Sequence, residues 1–189
     1  MNEAILDPLD EELAKARSGQ RAALAVLVQA HQRSVYSLAL RMLGTRDLAE
    51  DLTQDVFMQL HGKLSAIESN RHLRFWLRQV TANRAIDQLR RRSRVQMSSL
   101  EEHEQQFFSA ESDADPLLQR HLRTLLANLT APARAVLLLR YQEDLDPADI
   151  ARTLNMSINT VKSHLKRSLE IMRENTAGMQ LAPCEDSPS

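Results

Sequence analysis

The sequence predicts an all-α protein, built as two small helical domains joined by a flexible acidic linker. Three observations carry this. Glycine is scarce (4 of 189 residues) and aromatics make up 4%, while Leu, Ala, Arg and Gln abound, a balance that favours helices. No alternating run of Val, Ile, Thr and Tyr reads as a strand. Apolar residues recur at helical spacing in two blocks, and the stretch between them has little periodicity and much Ser, Glu and Gln. The expected division is a first domain over 10–94, a linker over 95–115, a second domain over 116–174 and a disordered tail over 175–189.

Each element follows from its punctuation. Asp10 to Arg17 reads as a short helix broken at Ser18-Gly19. Arg21 to Leu43 carries Leu24, Leu27, Val28, Val35, Leu38, Ala39 and Met42 at helical spacing, and Gly44 ends it. Thr45 is placed as an N-cap, with Asp47 in the first turn where the helix dipole favours an acid. Leu48, Leu52, Val56 and Leu60 form an i, i+4 stripe that Gly62 is expected to stop. A polar loop, Ile67 to His72, leads into a long helix ending near Arg94. In the second block, Pro116 opens a helix carrying Leu117, Leu118, Leu122, Leu125 and Leu126; Ala131 to Tyr141, Asp146 to Leu154 and Ser157 to Arg173 follow.

Charge is segregated along the chain. The formal net charge is −1, yet Arg71 to Arg94 holds eight arginines against the single acid Asp87. Gln96 to Gln119 holds six acids and no Lys or Arg, and Ser157 to Arg173 is again basic. Two basic helices separated by an acidic stretch suggest two modules that touch a polyanion. On the first of them, His72, Trp76, Gln79, Asn83, Asp87, Arg90 and Arg94 fall on one side at 100° per residue. An aromatic offers a stacking surface for an unpaired base, amides can hydrogen-bond base edges, and arginines supply salt-dependent phosphate affinity. The plainer reading makes Trp76 core. On the preceding helix Asp47, Glu50, Asp51 and Asp55 share a face; without a His or a second acidic helix they read as a protein-binding or solvated face rather than a metal site.

The last two helices have the anatomy of a helix-turn-helix. Asp146 can cap the first, with Pro147 at N1; Ile150, Ala151 and Leu154 face inward. Asn155 tolerates the left-handed turn, and Ser157 can cap the second helix. Ile158, Val161, Leu165, Leu169 and Met172 are expected to be buried, leaving Asn159, Thr160, Lys162, Ser163, Lys166 and Arg167 outward to read base edges and hold phosphates. A solvated charged face on an ordinary helical hairpin is the plainer alternative.

The two blocks together resemble the extracytoplasmic-function (ECF, group IV) sigma factors of the sigma-70 family. "DLAEDLTQDVF" (Asp47 to Phe57) is similar to their region-two motif, "FWLRQVTANRAIDQLRRR" to the helix that opens and reads the minus-ten element, and "LTAPARAVLLLRYQEDLDPADIARTLNMSINTVKSHLKRSL" to region four, which reads the minus-thirty-five element. The resemblance covers about Asp10 to Arg173. It implies that Asp51, Leu52, Gln54 and Asp55 dock on the clamp helices of the largest subunit of core RNA polymerase, with the flap of the second-largest subunit as a further partner. It gives minus-ten contacts to the loop Glu68, Ser69, Asn70, Arg71 and His72, and to Trp76, Arg78, Gln79, Asn83, Asp87 and Arg90. Minus-thirty-five contacts fall to Asn159, Thr160, Lys162, Ser163, Lys166 and Arg167. Promoter DNA is the implied ligand, an anti-sigma factor a candidate partner, and the acidic linker is similar to family linkers that thread the RNA exit path. Asp55 stands where the family more often has Glu, Thr130 where the family usually has the Pro of a Leu-Pro pair, and Asn155 where the turn usually has Gly.

"TVKSHLKRSL" also resembles the LuxR-type helix-turn-helix, so the alternative is a regulator that binds its operator alone; a polymerase- or sigma-binding regulator that opens no DNA is another. The six histidines are scattered and no nucleophile is paired with a base, so no enzyme, cofactor, metal or small-molecule substrate is expected. The lone Cys184 provides no disulfide framework. Without a long apolar run or an evident signal segment, the expected location is the cytoplasm.

Overall fold

A computed structural model of the chain describes residues 7–96 and 116–179, with side-chain environments for 7–94 and 120–175. Among the described residues there are eight α-helices, one 3-10 turn and no strand. The chain divides into two units, residues 1–112 and 113–189.

The first unit begins with α1 (Pro8–Arg17), whose N-cap Asp7 accepts from the Leu9 N–H at 3.1 Å with Pro8 at the helix start. The long α2 (Arg21–Leu43) packs against α1, α3 (Arg46–Lys63) and α4 (Asn70–Gln96), and so forms the centre of the bundle. Leu27, Val35, Leu38, Ala39 and Met42 of α2 meet Leu52, Val56 and Leu60 of α3 and Leu73, Leu77, Ala82, Ala85 and Ile86 of α4 in the core, all buried. Gly44 ends α2 at φ 82°, a left-handed conformation that glycine adopts without a Cβ clash. Leu24 and Val28, expected inward, are half-exposed.

Three local expectations are corrected. Thr45 occupies the N-cap position of α3, but its hydroxyl makes no cap bond and is buried without a partner. Gly62 does not stop α3: the helix runs to Lys63 and tightens into the 3-10 turn Leu64–Ala66. A side chain at Gly62 would meet nothing within 4 Å, so its glycine is not required sterically. The loop before α4 is shorter than Ile67 to His72, because α4 starts at Asn70; the Ser69 hydroxyl accepts from the His72 N–H at 3.1 Å and caps it.

The second unit comprises α5 (Pro116–Ala127), α6 (Ala131–Tyr141), α7 (Pro147–Leu154) and α8 (Ile158–Met179). Apolar α6 lies at its centre against α7 and α8, burying Ala135 to Leu139 with Ile150, Ala151, Leu154 and Val161. Arg134 is buried beneath α5's end, donating from Nη2 to the Ala127 carbonyl at 3.1 Å, and desolvation holds its pKa below the ordinary value. Helix α8 continues past the expected end at Arg173 to Met179, so 175–179 are helical rather than tail. Apart from the last residues of α4, the linker expected over 95–115 lies outside the described residues, as does the rest of the tail.

Candidate polymerase and promoter interfaces

Along α3 the buried stripe leaves Asp47, Glu50, Asp51, Gln54 and Asp55 exposed on the other side. Leu52, expected among the docking residues, is 4% exposed and belongs to the core instead. It lies on the stripe with Val56 and Leu60, and a residue cannot fill the bundle interior and a partner's surface at once. Sequence reasoning missed Met58, 68% exposed and one turn beyond Gln54. Its position off the Leu48–Leu60 stripe was the available signal. Asp55 also reaches across to α4, where Arg84 Nη1 lies 2.8 Å from its Oδ2. That pair sits in a cleft between α3 and α4 shared with Asp51, Asp87 and Arg91.

Helix α4 turns Leu73, Leu77, Thr81, Ala85 and, beside them, Ala82 and Ile86 inward. Thr81 satisfies its buried hydroxyl by donating to the Leu77 carbonyl at 2.7 Å. Of the expected stripe, His72, Asp87, Arg90 and Arg94 are exposed, while Trp76, Gln79 and Asn83 are half-exposed, as is Arg78. Trp76 is therefore neither core nor free: part of its indole packs and part faces solvent. Asp87 and Arg90 lie 4.0 Å apart.

The loop ahead of α4 is where the structure departs furthest from expectation. Glu68, Arg71 and His72 are exposed and Ser69 is half-exposed, but Asn70 is 2% exposed. Its amide nitrogen donates to Asp7 Oδ2 at 2.6 Å, its amide oxygen faces His31 Nε2 at 2.8 Å, and its backbone N–H donates to Asp10 Oδ1. With the amide nitrogen committed to Asp7, the imidazole must donate from Nε2. Burial pushes the pKa of His31 below its ordinary value, against the pull of the Asn70 bond, while Asn70 holds the Asp7 carboxyl below the usual range. Asn70 thus clasps α1, α2 and α4 together and presents no edge to a base. The partners lie 39 to 63 residues away, so no local pattern announces them. Beside the clasp, His31, Ser34, Arg74 and Arg78 border a cavity of about 90 Å³ between α2 and α4.

In the second unit the helix-turn-helix has its caps in place. Asp146 Oδ1 accepts from the Asp149 N–H at 2.8 Å, Asn155 takes the left-handed conformation at φ 52° and ψ 49°, and Ser157 Oγ accepts from the Thr160 N–H at 3.0 Å. Asn159, Thr160, Lys162, Ser163, Lys166 and Arg167 are all exposed on α8. The Thr160 hydroxyl lies 2.8 Å from that of Ser157, so both serve the helix start. Ile158 is not in the buried stripe: it is 44% exposed, while Val161 is fully buried and Leu165, Leu169 and Met172 are half-buried. Among the described residues no group of three His, Cys, Asp or Glu side chains could hold a metal ion, and no helix is long and apolar enough to cross a membrane.

A capped helix-turn-helix with its cations outward, on a chain whose other unit carries a basic helix, defines a DNA-binding protein. Residues 27–95 match Sigma-70 region 2, and residues 119–172 match Sigma-70, region 4. The chain is similar to the ECF RNA polymerase sigma factor SigL of Mycobacterium tuberculosis (31% identity over 163 residues, covering 82% of this chain and 92% of that one). It is also similar to the RNA polymerase sigma-E factor of Streptomyces coelicolor (30% identity over 155 residues, 82% and 86%). Its fold resembles the sigma factor RpoE of Bartonella quintana, solved in complex with the anti-sigma factor NepR (TM-score 0.68, 22% identity, 82% of this chain and 96% of that one). The chain belongs to the ECF RNA polymerase sigma factors.

Proposed function

We propose that this chain binds core RNA polymerase through the exposed face of α3, with Asp51, Gln54 and Asp55 toward the clamp helices of the largest subunit. The second unit lies near the flap of the second-largest subunit and reads the minus-thirty-five element with Asn159, Lys162, Ser163, Lys166 and Arg167 of α8. The half-exposed Trp76, Gln79 and Asn83 of α4, with the exposed loop residues Glu68, Arg71 and His72, capture minus-ten bases as the duplex opens. Melting costs stacking on the order of 1.4 kcal/mol per base-pair step, and contacts that exist only with unpaired bases offset it. The acidic linker threads the RNA exit path. We assign the chain to group IV of the sigma-70 family and to the cytoplasm, with catalysis left to the polymerase. An anti-sigma factor is a fitting partner, as the Bartonella sigma factor is solved in complex with one.

The observation that carries this reading is the order of the two matched regions on one chain, each with its charged face outward. The test is co-elution with sigma-free core polymerase in size exclusion, wild type beside Gln54→Ala/Asp55→Ala. The wild type co-elutes and the double variant does not. If the wild type ignores core polymerase and instead shifts duplex DNA alone as a dimer, the LuxR-type reading replaces this one.

A further inference from the structure

The first turn of α8 holds an unexplained side chain. Ile158 is 44% exposed although it precedes the fully buried Val161 by three residues, a spacing that ordinarily shares the buried face. Among the described residues of this unit the other exposed large apolar side chains lie elsewhere: Leu122 on α5, Tyr141 on α6, and Ile171 about 20 Å further along α8. At 100° per residue Ile158 stands beside Lys162, one turn on, at the rim of the arc formed by Asn159, Lys162, Ser163 and Lys166. Its polar neighbours are partly committed: the hydroxyls of Ser157 and Thr160 lie 2.8 Å apart and cap the helix.

A recognition helix presents its N-terminal residues to base edges in the major groove. Those edges carry donors and acceptors, and the one apolar group among them is the C5-methyl of thymine. An exposed branched aliphatic chain at that end of the helix therefore has one matching partner. We propose that Ile158 packs on a thymine methyl in the minus-thirty-five element and is a specificity-determining residue at that base pair. The inference rests on the sigma-factor reading above and adds to it a base that this chain selects by apolar contact.

The experiment uses holoenzyme reconstituted from the full chain and core polymerase. A duplex pool with a randomised upstream window is first selected for binding. The selected element is then resynthesised with each thymine in turn replaced by deoxyuridine, which differs only in lacking the methyl. One such replacement weakens wild-type holoenzyme about four-fold, the factor expected for uncovering one methyl-sized group. Ile158→Ala binds the thymine and deoxyuridine duplexes equally, while Ile158→Val, which keeps its branching methyls, retains the preference. Circular dichroism melting confirms that each variant folds. A selected element whose thymines all tolerate deoxyuridine, or a penalty that persists in Ile158→Ala, overturns the inference alone. Binding of Ile158→Ala to the deoxyuridine duplex that falls well below that of wild type does so too, because it marks a contact other than the methyl. If holoenzyme selects no element at all, the sigma-factor reading fails and takes this inference with it.

Discussion

Replacing Asn70 with alanine separates two roles that one residue cannot fill together. A base-reading residue can be truncated with little effect on the fold. A buried clasp cannot. The Asn70 side chain is 2% exposed, and its amide joins His31 Nε2 at 2.8 Å to Asp7 Oδ2 at 2.6 Å. Alanine leaves the buried imidazole N–H of His31 without an acceptor, a loss of about 1–3 kcal/mol. In a unit of this size each kcal/mol lowers the melting temperature by about 4–8 °C, so Asn70→Ala melts at least about 4 °C lower and above 10 °C lower at the strong end. The assay is far-UV circular dichroism of the full chain, with Glu68→Ala as an exposed control from the same loop. Melting within about 2 °C of wild type, together with lost promoter opening, would refute the clasp and restore Asn70 as a base contact.

Two further outcomes follow from the same structure. Burial holds the folded-state pKa of His31 below the 6.5 of an exposed histidine, so the unfolded chain takes up that proton more readily. Acidification from about pH 7 to 5 therefore lowers the urea midpoint of the first unit, and His31→Gln flattens that dependence. Asp7, whose pKa is also lowered, contributes stability present above the ordinary 3.8 and lost as pH falls through its folded value, a separate and more acidic window. In the second unit, Asn155→Ala forces a Cβ-bearing residue without a compensating polar side chain into the left-handed turn and costs about 1–2 kcal/mol, whereas Asn155→Gly does not lower the urea midpoint.

What the sequence reveals here depends on the range of the interaction. The caps Asp146 and Ser157 and the left-handed Asn155 are legible because a cap bonds within three residues and a turn is set by its own φ. The same rule misleads at Thr45, where the residue type suits a cap but the hydroxyl is buried without a partner. Family resemblance assigns Leu52 to a contact face, yet its place on the i, i+4 stripe with Val56 and Leu60 already argued for the core, and the core won. Asn70 could not have been read locally, since its side-chain partners are the N-cap of α1, Asp7, and His31 of α2. Ile158 fits a buried period by spacing, yet it is 44% exposed while Val161, three residues on, is fully buried, and spacing alone does not tell the two apart.

The contact between Arg84 and Asp55 has a consequence for ion release. Helix α4 carries eight arginines, but the one at 84 lies 2.8 Å from a carboxylate of α3. A guanidinium already balanced by a carboxylate displaces no condensed cation from DNA, whereas each phosphate neutralised by a free one releases about 0.9 of a counterion. In the docking proposed above, a surface that engages Asp55 would return that cation to α4, and association at α3 would then steepen the salt dependence of nucleic-acid binding at α4.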